Sequence, residues 1–278
     1  MFVRCLLKAF PGSHDQWIEF NGDARAYVDL RDPEARNVFL KRSFEPDFFR
    51  IARAVLFGGG VYFDCGANFG LCTFGLLPSM SSQTVSCHLF EANPALVPYL
   101  QTSSTVFPCV RIKIVEGCLS DHKGTSRFQI SEQLTGHSHV HPEGSSETRN
   151  IILDGYLEEN RIKKINLLKL DIEGQELIAL RGLSAALKLQ MIEVIYLEVA
   201  TDVLDRYRLV PGDVIGFLES NGFRLFYCRD KDVPERCSPA VRFKRSNLNQ
   251  LRLLEFKLPA ENLRTDLLAV HKALIANL

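Results

Sequence analysis

Four short segments of this chain carry acids and glycines in an order that could hold and process a ligand. The first is Asp64-Cys-Gly66-Ala-Asn68-Phe-Gly70. Glycines at such a turn let the backbone come close to a ligand and leave amides at a helix start for a carboxylate or phosphate. The second is Phe90-Glu91-Ala-Asn93-Pro94, whose Glu91 can accept hydrogen bonds from both hydroxyls of a ribose, with Asn93 beside it. The third is Gly117-Cys-Leu119-Ser120-Asp121. An adenine amino group would need an acceptor there, and Leu119 and Ser120 are assigned to that edge, although a plain turn reads equally well. The fourth, Lys169-Leu-Asp171-Ile-Glu173-Gly174-Gln-Glu176, sends two carboxylates off a strand end on one side. Like charges that close share a proton, hold a cation, or act as general base and orienting group.

The charge pattern narrows the ligand. A dinucleotide turn would read GxGxxG, which this one does not, and Asp64 would disfavour a pyrophosphate. S-adenosylmethionine carries a sulfonium and an ammonium beside one carboxylate, and an acid next to helix amides suits that mixture. Asp171 belongs with that ligand's reactive end as well as with the chemistry. A polar loop adds His137, His139 and His141 in an HxHxH spacing, either a metal site or the source of a general base, for which His139 is the candidate. No metal ligand is assigned. A divalent cation between Asp171 and Glu173 is left open.

These segments need a scaffold that delivers them to one edge. Apolar runs at Val61–Asp64, Val85–Phe90, Val110–Val115, Ile165–Leu170, Ile192–Val199 and Phe223–Cys228 read as strands. Between them, 70–77, 95–102, 175–187 and 214–220 read as helices. That alternation predicts an α/β, Rossmann-like, mostly parallel sheet with helices on both faces, and ligands at the carboxyl ends of its strands. Ser126–Ile130 and Asn150–Leu153 are expected to form an inserted hairpin. Leu251–Leu258 is expected to close the sheet as a seventh strand before a terminal helix, Leu263–Leu278. Residues 1–57 read as an N-terminal helical extension, with apolar positions at helical spacing from Asp32 to Phe57 and a break at Pro46. Residues 58–278 then form the ligand-binding domain.

Composition sets the outer bounds. The chain has 278 residues, 46% hydrophobic and 24% charged, enough for one large α/β domain. A formal net charge of zero lacks the basic excess that binding to nucleic-acid backbones demands. The eight cysteines show no CxxC pair and read as reduced, mostly buried thiols of a cytoplasmic protein. No stretch is long enough to span a membrane. Nothing sets the oligomeric state.

Taken together, DxGAxxG at Asp64–Gly70, FEANP at Phe90–Pro94, LSD at Leu119–Asp121 and LKLDIEG at Leu168–Gly174 resemble the FkbM family of methyltransferases. Ile195-Tyr-Leu-Glu198-Val and Asn221-Gly-Phe223 fall where that family's later strands would. The resemblance implies a class I methyltransferase fold using S-adenosyl-L-methionine. It places Asp64, Gly66, Asn68, Gly70 and Glu91 at the cofactor and Asp171 and Glu173 at the reaction centre. Glu45 resembles an acid that the family carries before the first strand, near the cofactor's amino group. The implied acceptor is a small molecule or glycan methylated on a hydroxyl, with a protein amide as the minor variant. A nicotinamide oxidoreductase and an inactive binding module are the competing classes.

Overall fold

A computed structural model describes residues 14–80, 84–131, 134–228, 243–244, 248–251, 253–257 and 263–276. The chain opens with a hairpin, β1 (Asp15–Phe20) and β2 (Ala24–Asp29), paired from Asp15↔Asp29 to Phe20↔Ala24. Asn21 and Gly22 turn it with positive φ, and the strands alternate buried and exposed residues behind that turn. Helices α1 (Pro33–Lys41) and α2 (Pro46–Val55) follow, each with proline in its first turn. The expected helices are present. The hairpin ahead of them was not expected.

The central sheet holds β3 (Gly60–Cys65), β4 (Val85–Glu91), β5 (Arg111–Glu116), β10 (Ile165–Leu170), β11 (Ile192–Ala200), β12 (Phe223–Tyr227) and β13 (Arg264–His271). Its order is β12-β13-β11-β10-β3-β4-β5, parallel throughout except for β13, which runs antiparallel to both neighbours. This is the seven-stranded class I methyltransferase sheet expected from the sequence. Strand order reverses between β3 and β10, where a ligand crevice opens at the carboxyl ends. Helices α3 (Leu71–Leu76), α4 (Val97–Ser104), α5 (Leu153–Glu159), α6 (Glu176–Arg181), α7 (Ser184–Lys188), α8 (Thr201–Leu204) and α9 (Pro211–Ser220) connect the strands. The single helix expected over 175–187 is two, parted at Gly182 and Leu183.

A second sheet of β6 (Cys118–Leu119), β7 (Thr125–Gln129), β8 (His139–Val140) and β9 (Ser146–Ile151) forms the insertion, with β7 and β9 antiparallel as expected. The end of the chain departs from expectation. The segment expected as a terminal helix is β13, because Leu267 to Val270 are buried between β11 and β12 on a sheet packed on both faces. The seventh strand expected at Leu251–Leu258 is reduced to one bridge, Phe226↔Glu255; Arg252 and Leu258 lie outside the described residues.

Two apolar cores flank the sheet. One joins the extension (Ile18, Phe20, Phe48, Phe49, Ile51) to the sheet face bearing Tyr62, Leu167, Val194, Tyr196 and Leu268. The other packs Phe63, Leu168, Ile195 and Leu267 against α6, α7 and α9. Cys65, Cys72, Cys87, Cys118 and Cys228 are buried free thiols, Cys109 is exposed, and Cys5 and Cys237 lie outside the described residues. Among the described residues, no helix is long and apolar enough to cross a membrane.

Candidate active site

A cleft opens at the carboxyl ends of β3, β4, β10 and β11, roofed by α1, the start of α2 and the insertion loop around Thr135. At its centre the turn after β3 is forced by its neighbours. Gly66 has φ +76°, and a Cβ there would lie 1.9 Å from the Asp171 carbonyl oxygen, so only glycine lets the β3 and β10 ends pass. Asn68, with φ 51°, continues the turn and lines the cleft. Its amide donates to Glu91 Oε2 at 2.7 Å, while the Asn93 amide donates to Oε1 at 2.8 Å. Each oxygen of Glu91 keeps lone-pair capacity for a further donor, the demand that a ribose diol makes. Burial pushes the Glu91 carboxyl up, opposed by those two backbone bonds.

The other half of the cleft is built on a lysine that sequence reasoning quoted but gave no role. Lys169 is buried, with Nζ 3.4 Å from Asp64 Oδ1, 3.3 Å from Asp171 Oδ2, and donating to the Gly66 carbonyl at 3.4 Å. Burial by itself would lower its pKa; Asp171 and Asp64 outweigh that and hold it above the usual lysine range. Asp64 is fully buried behind the turn, and its Oδ2 accepts from Thr73 Oγ1 at 2.7 Å. Asp171 is half exposed in the cleft. Glu173 also lines it, at φ 55°, paired with Arg206 at 3.1 Å. The two carboxylates therefore each hold a cation of their own.

The extension contributes acids that sequence reasoning missed. Asp32 caps α1, accepting from the Glu34 and Ala35 amides at 2.8 and 2.9 Å. Its second oxygen accepts from the Thr135 amide at 2.9 Å and faces the Thr135 hydroxyl at 3.0 Å. That hydroxyl also lies 2.8 Å from Asn68 Oδ1, and Asn68 Nδ2 donates to Glu34 Oε2 at 3.3 Å. One network thus ties α1, the glycine turn and the insertion together. Glu34 lines the cleft, and among the described residues it has no ion-pair partner. Burial, then the charges of Asp171 and Asp32, push its carboxyl up to about 7. Glu198 at the end of β11 is likewise pushed up to about 7, by burial and then Asp171, although Arg264 of β13 lies 3.1 Å away.

The structure distributes the expected site residues unevenly. Glu45, Gly66, Asn68, Glu91, Leu119, Asp171 and Glu173 line the cleft. Asp64, Gly70, Asn93 and Ser120 stand behind it. Gly70 starts α3, Asn93 accepts from the Ala95 amide, and the Ser120 hydroxyl meets His122. Of the three histidines only His137 lines the cleft. His139 bonds the His137 carbonyl through Nδ1 at 3.0 Å, and its ring packs edge-on against His141. Among the described residues those three do not bring their ring nitrogens together as a metal triad; the one such grouping is His14, Asp15 and Asp29, on the hairpin. Glu45 precedes α2 with φ 34°, a strained conformation for a residue with a Cβ, placed at the cleft's edge.

The family model for the methyltransferase FkbM domain matches residues 64–225. The chain is similar to a hexuronic acid methyltransferase, AglP, from Haloferax volcanii, with 28% identity over 167 residues, 60% of this chain and 67% of that protein. Among solved structures, methyltransferase FkbM from Methylobacillus flagellatus KT aligns at 13% identity with a TM-score of 0.45, over 77% of this chain. This chain spans 44% of that longer protein. TYW2 from M. jannaschii, in complex with AdoMet, aligns at 10% identity with a TM-score of 0.42, over 92% of this chain and 85% of that one.

Proposed function

The chain belongs to the methyltransferase FkbM family, and on that premise we propose that it methylates a hydroxyl of a sugar or natural product, using S-adenosyl-L-methionine. The observation that carries the reading is Glu91, whose two oxygens are aligned by the Asn68 and Asn93 amides in an acid-lined cleft. The cleft fits this cofactor in charge. Its walls bear Glu34, Glu45, Glu91, Asp171, Glu173, Glu198 and Asp266 against Lys169 and Arg264, and the cofactor brings two positive charges and one negative. When bound, S-adenosyl-L-methionine supplies a methyl made electrophilic by its sulfonium.

The chain's own residues divide the remaining work. Glu91 holds the ribose hydroxyls, and the Gly66–Gly70 turn admits the ligand against backbone. Lys169 holds the Asp171 carboxylate in place, suiting it to orient the acceptor hydroxyl. Glu34 takes the proton, because it lines the same cleft and burial, with the charges of Asp171 and Asp32, raises its basicity despite the opposing charge of Lys169. Glu173, engaged by Arg206, shapes the field around Asp171. The sugar named for the Haloferax relative supports a carbohydrate acceptor. Residues 1–57 act as an extension whose described part closes the cleft, and residues 58–278 as the cofactor-binding domain.

Two measurements test this. Calorimetry should show S-adenosylhomocysteine binding in the micromolar range, about 7–8 kcal/mol, and Glu91→Ala should weaken it by about 1–3 kcal/mol. Incubation with methyl-labelled cofactor and a panel of glycosides, natural products and peptides should place label on oxygen. Label on peptide nitrogen, or preference for NAD, would refute the assignment.

A further inference from the structure

Glu176, the first residue of α6, is 3% exposed and does not line the cleft, yet it carries a carboxylate. A buried acid is costly unless its oxygens are used. Here one oxygen takes two bonds. Oε1 accepts from the Ile172 amide at 3.0 Å and from the Gly174 amide at 3.3 Å. The first amide belongs to the peptide that follows Asp171, the second to the peptide that follows Glu173. One oxygen therefore fixes the peptide plane after each of two acids that line the cleft.

The turn needs such an anchor. Glu173 and Gly174 are successive residues in the left-handed region, at φ 55° and 96°. A residue with a Cβ holds that conformation only where its surroundings enforce it. The other contacts bear on side chains or on the covering of the turn. Lys169 pairs with Asp171, and Arg206 with Glu173. Tyr207 covers Gly174, where a Cβ would come within 2.6 Å of its ring, and donates to the Val140 carbonyl of β8 at 3.0 Å. Among the described residues, Glu176 is the one side chain bonded to the amides of the turn itself. Burial pushes its carboxyl up to about 7, with the charge of Asp171 adding to burial and the bonds from its own amide and those of Ile172 and Gly174 opposing it. A protonated carboxyl or a carboxamide still offers one oxygen to those amides, so the hold depends on reach rather than charge.

We infer that Glu176 is a positioning residue for methyl transfer: from outside the cleft it sets where the Asp171 and Glu173 carboxylates stand within it. This rests on the proposed reading that Asp171 faces the reactive end of S-adenosyl-L-methionine.

Two substitutions separate reach from charge. Glu176→Gln keeps an oxygen at the same reach and removes the charge, whereas Glu176→Asp keeps the charge and withdraws the oxygen by one methylene. Calorimetry on the full chain with S-adenosyl-L-methionine and S-adenosylhomocysteine reads the outcome, because only the former carries a sulfonium charge for the cleft carboxylates to face. Glu176→Asp should lower the ratio of the two affinities about threefold or more, with the S-adenosylhomocysteine Kd within about twofold of wild type. Glu176→Gln should hold that ratio within about twofold. Hydrogen exchange across 171–176 should be slow in the wild type and in Glu176→Gln, and about tenfold or more faster in Glu176→Asp. Fast exchange there in the wild type, a fall of the ratio in Glu176→Gln, or a Glu176→Asp chain that loses both affinities alike or neither would overturn the inference. The first two of these decide it even if Glu176→Asp does not fold. Asp171→Asn tells the two readings apart. If it leaves the ratio unchanged, Asp171 does not face the sulfonium, and the parent reading of that residue falls together with the inference; if it lowers the ratio and Glu176→Asp does not, the inference falls alone.

Discussion

Replacing Lys169 by methionine isolates the electrostatic centre of the cleft. The methionine keeps most of the buried stem and deletes the charge, so packing changes little. Asp64 then remains fully buried with a hydrogen bond from Thr73 but no cation, whereas half-exposed Asp171 recovers water. Removing one partner of a buried pair costs about 3–5 kcal/mol, and the Thr73 bond keeps the expectation at about 3–4 kcal/mol. At about 2.1 cal/mol/K per residue, 278 residues give an unfolding entropy of roughly 0.6 kcal/mol/K. The melting temperature should therefore fall by roughly 5–7 °C. Calorimetry on the cofactor-free chain measures this. The second substitution Asp64→Asn, made in the Lys169→Met background, should restore at least about half the loss, because an amide can still bond Thr73 without a buried charge. A single variant that loses less than about 1 kcal/mol, or a double variant no more stable than the single, would refute the claim that Lys169 neutralises Asp64.

Two further outcomes follow from the roof of the cleft. Glu34 is pushed up to about 7, so its basic form is lost as pH falls below that value; kcat/KM for the cofactor should rise with pH through about 7, and Glu34→Gln should flatten that limb and lower turnover by roughly a hundredfold, with S-adenosylhomocysteine affinity within about threefold of wild type. An unchanged pH profile would move the base elsewhere, with Asp171, Glu173 and His139 next to test. Deleting residues 1–57 should expose the face carrying Tyr62, Val194 and Tyr196 and abolish S-adenosylhomocysteine binding; a truncated chain that stays monomeric and binds normally by calorimetry would show the extension to be dispensable.

The legible parts of this molecule were those governed by local rules. The apolar run at Ile165–Leu170 became β10 with no change of bounds, since a six-residue strand with five buried positions between polar turns admits few alternatives. Acids that follow strands in sequence must sit at one edge of a parallel sheet, and this brings Gly66, Glu91 and Asp171 to one cleft. The hairpin has a local signature in Asn21-Gly22 between alternating residues. Lys169 was signalled too: a lysine inside an apolar strand demands a buried counter-charge. The terminal segment was ambiguous in principle. Leu267, Leu268 and Val270 fit a helix face as well as a strand, and only the flanking β11 and β12 decide between them. Glu34, Thr135, Arg264 and Asp266 carry no local signature at all, because tertiary approach alone brings them to the cleft.

That division has a physical origin in how the cleft is assembled. The matched family segment, 64–225, supplies the glycine turn, Glu91 and the Lys169–Asp171 pair, all fixed by strand ends of one parallel sheet. The opposite wall, around Tyr196 and Glu198, is completed from both sides of that segment: Phe44, Glu45 and Phe48 before it, Arg264 and Asp266 after it. Those flanks are held by burial. Phe48 shares a core with Tyr62 and Tyr196, and β13 is wedged between β11 and β12. An element held by apolar packing is free to vary the polar residues at its tip without loss of fold. Phe44, Glu45, Arg264 and Asp266 therefore stand on elements outside the matched family segment, whereas Gly66, Glu91 and the buried Lys169 stand within it.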